Sequence, residues 1–272
     1  MAGVQFDRGR RLCVLFEAGA ARYSIEATSV LEIGDAPSDT DTLHGLQLLQ
    51  DLSKLLGGEP EQRPGMSLLL DVSPTLAIRI KRVVDVADIA RAPFFHLPPG
   101  LGDSLPLMMR GATLHGGHLY LELAADMLPA QPLDPRVFPQ GRLYCSSQPP
   151  ERALVFESEG KAYGVSLPFV SQIIVRGEEF CTLPFSRAPV VGLLPHAQSL
   201  WPIYSMAGMA GEASSLERLI ILADVVGRNL GICAARALGV RSHFRPTDNL
   251  GEFVSEDIGT SISILDLERM FS

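Results

Sequence analysis

The only close pair of histidines in the sequence is His115 and His118, separated by Gly116 and Gly117. Zinc needs three or four ligands at fixed geometry, and no third ligand stands beside this pair. The two glycines instead predict a tight hairpin turn with the histidines at its rim. Four cysteines (Cys13, Cys145, Cys181 and Cys233) lie far apart among apolar neighbours. Disulfide and metal frameworks show close cysteine spacings, so these read as reduced, mostly buried thiols. A nucleophile elbow, G-x-S-x-G, is absent. So are G-x-G-x-x-G and G-x-x-x-x-G-K-S/T, the loops that cradle phosphates. The paired acids Glu178-Glu179 and Glu256-Asp257 read as solvated turns. The expectation is a protein with no catalytic, cofactor-binding or metal residues, and so not an enzyme. Recognition remains. Trp201, the only tryptophan, is of a type favoured at interfaces, though core packing is the plainer reading. His196, after Pro195, reads as a loop-like, partner-facing histidine.

The stretch that must position these residues is Leu183 to Met206. It has a Pro-rich approach (Pro184, Pro189), a turn at Gly192 and an apolar run with Pro202 inside it. Proline cannot donate to a strand ladder, so the segment is expected to feed a strand that is bent or lies at the margin of its sheet. Elsewhere the pattern is of short strands. Residues 11–16 form an apolar strand candidate, and 22–33 start as an alternating strand that turns briefly helical at 26–31. Apolar residues at 48, 49, 52, 55 and 56 fit a helix at least as well as a strand. Two strand candidates, 67–73 and 76–89, flank Ser73-Pro74-Thr75, and 108–128 reads strand, Gly-Gly turn, strand, short helix. Residues 34–44 are a polar loop.

Bulk properties limit the class. The chain has 272 residues, enough for two domains. Its 46% hydrophobic and 20% charged content is that of a globular protein. A net charge of −8 opposes nucleic-acid binding, which needs a basic stripe. Before residue 146 there are 13 basic and 17 acidic residues, and after it 10 and 14, so each half carries −4. The apolar run near the N-terminus, LCVLF, is too short for a signal peptide. No run approaches the roughly 18 apolar residues of a membrane span. A cytoplasmic chain is expected.

The order of features repeats. RALVFESEGKAYGVSLPFVSQI mirrors RLCVLFEAGAARYSIEATSVLEI: Phe156 answers Phe16, Tyr163 answers Tyr23, and Val165 fills the place of Ile25. GEFVSEDIGTSISILDLERMF likewise mirrors GATLHGGHLYLELAADML. Two copies about 140 residues apart are a duplication, with too long a period for a solenoid. Between them, residues 129–150 hold six prolines, a composition that favours an extended linker. Many short strands with frequent Gly and Pro make the chain all-β, with barrel-like sheets.

The second half resembles the CheW family of chemosensory coupling proteins. The resemblance runs through Ala153-Leu154-Val155-Phe156, Tyr163-Gly164-Val165, Leu183-Pro184, Pro189, Gly192, Pro202-Ile203 and Leu265-Asp266-Leu267. It implies two tandem CheW-like domains, over 9–129 and 151–272, with a linker over 130–150. Each would be a pair of small five-stranded β-barrels with short helices. It also implies a non-enzymatic adaptor that couples receptor and histidine kinase, with a CheA-type kinase and chemoreceptors as partners. The family's N-L-R-G partner tetrad is replaced by Pro195-His196-Ala197-Gln198, and these four residues with Trp201 are the candidate partner-binding set. The Asp of the family's v-i-D-L step is kept at Asp51 and replaced by Ser205 in the second copy. Arg has no equivalent in Ala or Gln. The alternatives are therefore an interaction protein outside receptor arrays, bound to another signalling or motility protein, and, ranked lower, a small-molecule sensor.

Overall fold

The structure is a computed structural model that describes residues 10–37, 42–44, 47–58, 60, 65–99, 101, 105–128, 142–183, 189–212, 216–249, 251–256 and 258–271. The chain forms two compact units. One gathers Met1–Phe138 with Glu178–Phe185 and Pro195–Leu200; the other gathers Pro139–Gly177, Ser186–Leu194 and Trp201–Ser272.

The fold is all-β. The first repeat supplies β1 (Leu12–Ala18), β2 (Ala21–Glu26), β3 (Val30–Asp35), β4 (Thr42–Leu43), β5 (Gln47–Asp51), β6 (Met66–Leu70), β7 (Leu76–Ile80), β8 (Arg82–Asp88), β9 (Phe94–Phe95), β10 (Met109–His115) and β11 (His118–Leu123). They form two sheets, β8-β1-β2-β11-β10-β9 and β3-β6-β7-β5-β4. The second repeat supplies β12 (Arg152–Ser158), β13 (Lys161–Ser166), β14 (Val170–Val175), β15 (Cys181–Thr182), β16 (Val190–His196), β17 (Ser199–Tyr204), β18 (Leu219–Val225), β19 (Arg228–Ala234), β20 (Arg236–Ser242), β21 (Phe244–Pro246), β22 (Glu252–Ser255) and β23 (Ile258–Ile264). Their sheets run β20-β12-β13-β23-β22-β21 and β14-β18-β19-β17-β16-β15. Where a sheet exceeds five strands, the sixth is a piece of two or three residues (β9, β15 or β21).

The duplication holds residue by residue. Phe16 pairs with Tyr23 and Phe156 with Tyr163, their rings stacked at 5.7 and 5.8 Å. β1 breaks register against β8 between Leu15 and Phe16, and β12 against β20 between Val155 and Phe156. Such bulges bend a strand and sharpen its twist. Glu17 holds Arg82 and Glu157 holds Arg236 at the matching positions. β2 runs parallel to β11 with Ser24 beside Glu122, as β13 does to β23 with Gly164 beside Ile264. Apolar side chains of β12, β13, β18 and β19 build a core of the second repeat, including Phe156, Tyr163, Ile221 and Ile232.

Several local expectations resolve in the strands. The ambiguous 45–57 run is a strand, β5, followed by α1 (Leu52–Leu55), which Asp51 caps by accepting from the Lys54 N–H. Ser205 does the same for α2 (Met206–Met209), accepting from Gly208 N–H. Both residues of the v-i-D-L step are thus helix N-caps, a role open to Asp and Ser alike. The 76–89 run divides at Lys81 into β7 and β8, which belong to different sheets. The Gly116-Gly117 turn joins β10 to β11 with both glycines at positive φ. Most of the linker expected over 130–150 lies outside the described residues. At its described end the Tyr144 carbonyl accepts from Asp266 N–H, and Ser146 N–H donates to the Ile264 carbonyl.

Candidate functional site

Pro195, His196, Ala197, Gln198 and Trp201 all lie on the β16–β17 hairpin. Gly192 is buried inside β16 and makes no turn there; the chain reverses at Ala197 and Gln198, with φ of 48° and 65°. This is the two-residue primed turn that matches the twist of a hairpin. Pro195 and His196 therefore end a strand rather than occupy a loop, and both are half-buried. Ala197 and Gln198 are exposed at the tip, where Ser199 Oγ donates to the His196 carbonyl at 3.2 Å. Trp201 is buried, at 5% exposure. β17 lies between β16 and β19 and so is internal, not marginal. Its parallel pairing to β19 is registered at Ile203 and Tyr204, one residue beyond the proline.

A feature that the sequence patterns did not isolate is the pair of terminal strands β3 and β14. Among the described residues each ends its sheet, pairing along one side only, β3 with β6 and β14 with β18. Each has the same burial pattern, in which no residue is fully buried on either face. Leu31 and Ile33 of β3 are exposed, as are Ile173 and Val175 of β14, the last at 56%. Natural sheets blunt open edges with charge, proline or short strands. β3 carries Glu32, which contacts His44 at 3.0 Å, and Asp35. β14, VSQIIV, has no charged residue and no proline. An uncharged strand with an open edge can accept a further strand through its backbone, with alternate side chains giving selectivity.

No family model matches the sequence, and no curated protein matches it. Among solved structures, the chain is similar to the scaffolding protein TtCheW from Thermoanaerobacter tengcongensis. The likeness has 15% sequence identity and a TM-score of 0.37, and it covers 46% of this chain and 94% of that one. The all-β assignment stands on the strand pairing of this chain itself.

The candidate chemistry of the polar residues is structural. Among the described residues no group of three His, Cys, Asp or Glu side chains converges to hold a metal ion. His115 and His118 face each other across the hairpin, half-buried, and His118 Nε2 lies 3.8 Å from Glu178 Oε2. The four cysteines are free, with Cys13, Cys181 and Cys233 buried. Burial pushes each of these three thiols up to about 11, away from the thiolate that attacks or ligates. No helix among the described residues is long and apolar enough to cross a membrane.

One polar cluster is buried. Glu122, at 3% exposure, accepts from Arg11 through both oxygens, at 3.1 and 2.5 Å, and from the Thr113 hydroxyl. The second repeat fills the matching positions with Ile264 and Phe253. There the strand partner must be Gly164, because a Cβ at that position would meet Ile264 Cδ1 at 2.5 Å. The first repeat has Ser24 instead, beside the slimmer head of Glu122.

Proposed function

We propose that the protein is a non-enzymatic adaptor that holds partner proteins together. In this reading it serves a chemosensory or motility-signalling pathway and couples a receptor to a CheA-type histidine kinase. The observation that carries it is the open, uncharged edge of β14, with Ile173 and Val175 exposed. The matching strand of the first repeat, β3, also ends its sheet with Leu31 and Ile33 exposed, but Glu32 and Asp35 charge it, so the chain presents two terminal strands of unlike chemistry. The family resemblance supplies the partner class. The test is titration of the full chain with the regulatory domain of a CheA-type kinase and with a chemoreceptor cytoplasmic fragment. Binding is expected, weakened at least tenfold by Ile173→Lys with an unchanged unfolding midpoint. Equal binding by the variant would remove the β14 edge from the interface, and no binding to either protein would remove the pathway.

A second reading rests on the β16–β17 turn. The tip presents Ala197 and Gln198 and no cation. Such a surface suits a partner outside receptor arrays. Affinity capture of the tagged chain from its native cells separates the two readings: a kinase or receptor supports the first, and another signalling or motility protein alone supports the second.

A further inference from the structure

At one end of the sheet formed by β20, β12, β13 and β23 lies a half-open hollow of about 590 Å³, within the usual size of ligand pockets. Its counterpart in the first repeat, at the same strand positions, shows what such an end can hold. There Arg22 Nη1 donates to the Glu178 carbonyl at 3.0 Å, and His118 Nδ1 lies 3.4 Å from the same oxygen. The Cys181 thiol reaches the Arg22 carbonyl at 3.9 Å, and Phe180 and Cys181 are buried. Glu178–Phe185 belongs to the same compact unit as these residues. The end of that sheet is thus filled by a piece of chain whose acidic head, Glu178-Glu179, makes a turn and whose apolar body, Phe180-Cys181, leads into β15.

In the second repeat the positions of Arg22 and His118 fall to Ala162 and Thr260. Both are small, and both line the cavity. The positive charge has moved rather than vanished. Lys161 and Arg241, at the positions of Ala21 and Ala87, line the same space. Arg241 is anchored by donating to the Val240 and Leu238 carbonyls, and its Nε is buried without a hydrogen-bond partner. Of the cavity's two acids, Glu157 is occupied by Arg236 at 2.7 Å, and Glu252 accepts from Asn249 and Ser261. Leu238 supplies an apolar wall.

We infer that this cavity binds a peptide segment of a partner protein with an acidic head and an apolar body, with Lys161 and Arg241 taking the acidic head. The site is distinct from the β14 edge and goes beyond the adaptor reading. The probe is a synthetic peptide, Gly-Glu-Glu-Phe-Cys-Thr-Leu, the sequence of residues 177–183, titrated into the full chain at low salt. Saturable binding is expected. Lys161→Glu should weaken it about tenfold, and adding Arg241→Glu, which removes the second cation of the cavity, should abolish it. A peptide with both glutamates changed to glutamine should bind at least tenfold more weakly, and raised salt should weaken the parent peptide. Ile173→Lys should leave peptide binding unchanged, so this result stands apart from that of the β14 edge. The inference is overturned by no binding, by equal binding of the glutamine peptide, or by equal binding to the Lys161→Glu variant and to the Lys161→Glu/Arg241→Glu double variant. It is also overturned if Arg22→Ala alone removes binding, which would place the peptide in the first repeat.

Discussion

Glu122 shows how a duplicated sheet keeps its backbone while its interior changes chemistry. A carboxylate at 3% exposure is held by a two-pronged bond from Arg11 and by the Thr113 hydroxyl. Removing Glu122 breaks these bonds, but Arg11, at 35% exposure, keeps access to water. Glu122→Ala is therefore expected to lower stability by about 1–3 kcal/mol, read as a shift in urea midpoint. Glu122→Ile alone should also destabilise, because Ser24 stands where the second repeat needs Gly164. Adding Ser24→Gly should recover much of the loss; a double variant no better than the single would show that the two positions are not coupled. The buried thiols give a pH test at the same scale. Burial lifts Cys233 from its ordinary value of 9.0 to about 11. The unfolded chain thus releases this proton first, so the folded state binds more protons between those values. Stability should be intact below about pH 9 and fall as the pH rises toward 11, and Cys233→Ala should flatten that slope.

At the scale of elements, the β16–β17 hairpin carries two opposed expectations that mutation separates. Trp201 is a core residue, so Trp201→Ala should cost about 3–5 kcal/mol. Loss of partner binding at a normal unfolding midpoint would make it an interface anchor instead. Ala197 sits at φ 48°, a region disfavoured by roughly 1–2 kcal/mol for residues with a Cβ. Ala197→Gly should therefore raise the unfolding midpoint, and a fall would mean that the alanine methyl packs against something the gain cannot offset. The turn also shows why the sequence was only partly legible. Period-two alternation and the repeated Phe–Tyr pair revealed the sheets and the duplication, since both are written in side-chain type. A primed turn built from Ala and Gln lacks the Gly or Asn that announces one, so the reversal was read at Gly192 instead. Pro202 pointed to a margin because proline usually sits there, yet here it only precedes the parallel ladder. The open edge of β14 was hidden for a different reason: exposure depends on which strand ends a sheet, and VSQIIV reads the same in either place.

At the scale of the molecule, the question is whether the second repeat folds without the first. Two of its buried clusters lie within it: the one around Phe156 and Ile232 and the one around Val155 and Ile264 draw on residues from Leu143 onward. The strand register that builds them is also internal to that span. A fragment of residues 142–272 is therefore expected to unfold cooperatively, in line with a domain boundary in the proline-rich stretch. One part of it should behave differently. Cys181 is buried in the full chain, where its thiol reaches the Arg22 carbonyl, and Glu178 is held by Arg22. Arg22 is absent from the fragment, so Cys181 should become open to alkylation at neutral pH while Cys233 stays protected by its place in β19. Treating fragment and full chain with the same reagent, then mapping the labelled cysteines by mass, gives the answer. A fragment without cooperative unfolding would mean that the two repeats share one core. A cooperative fragment with Cys181 still protected would mean that the second repeat buries this strand by itself, and that the first repeat only adds to a cover already in place.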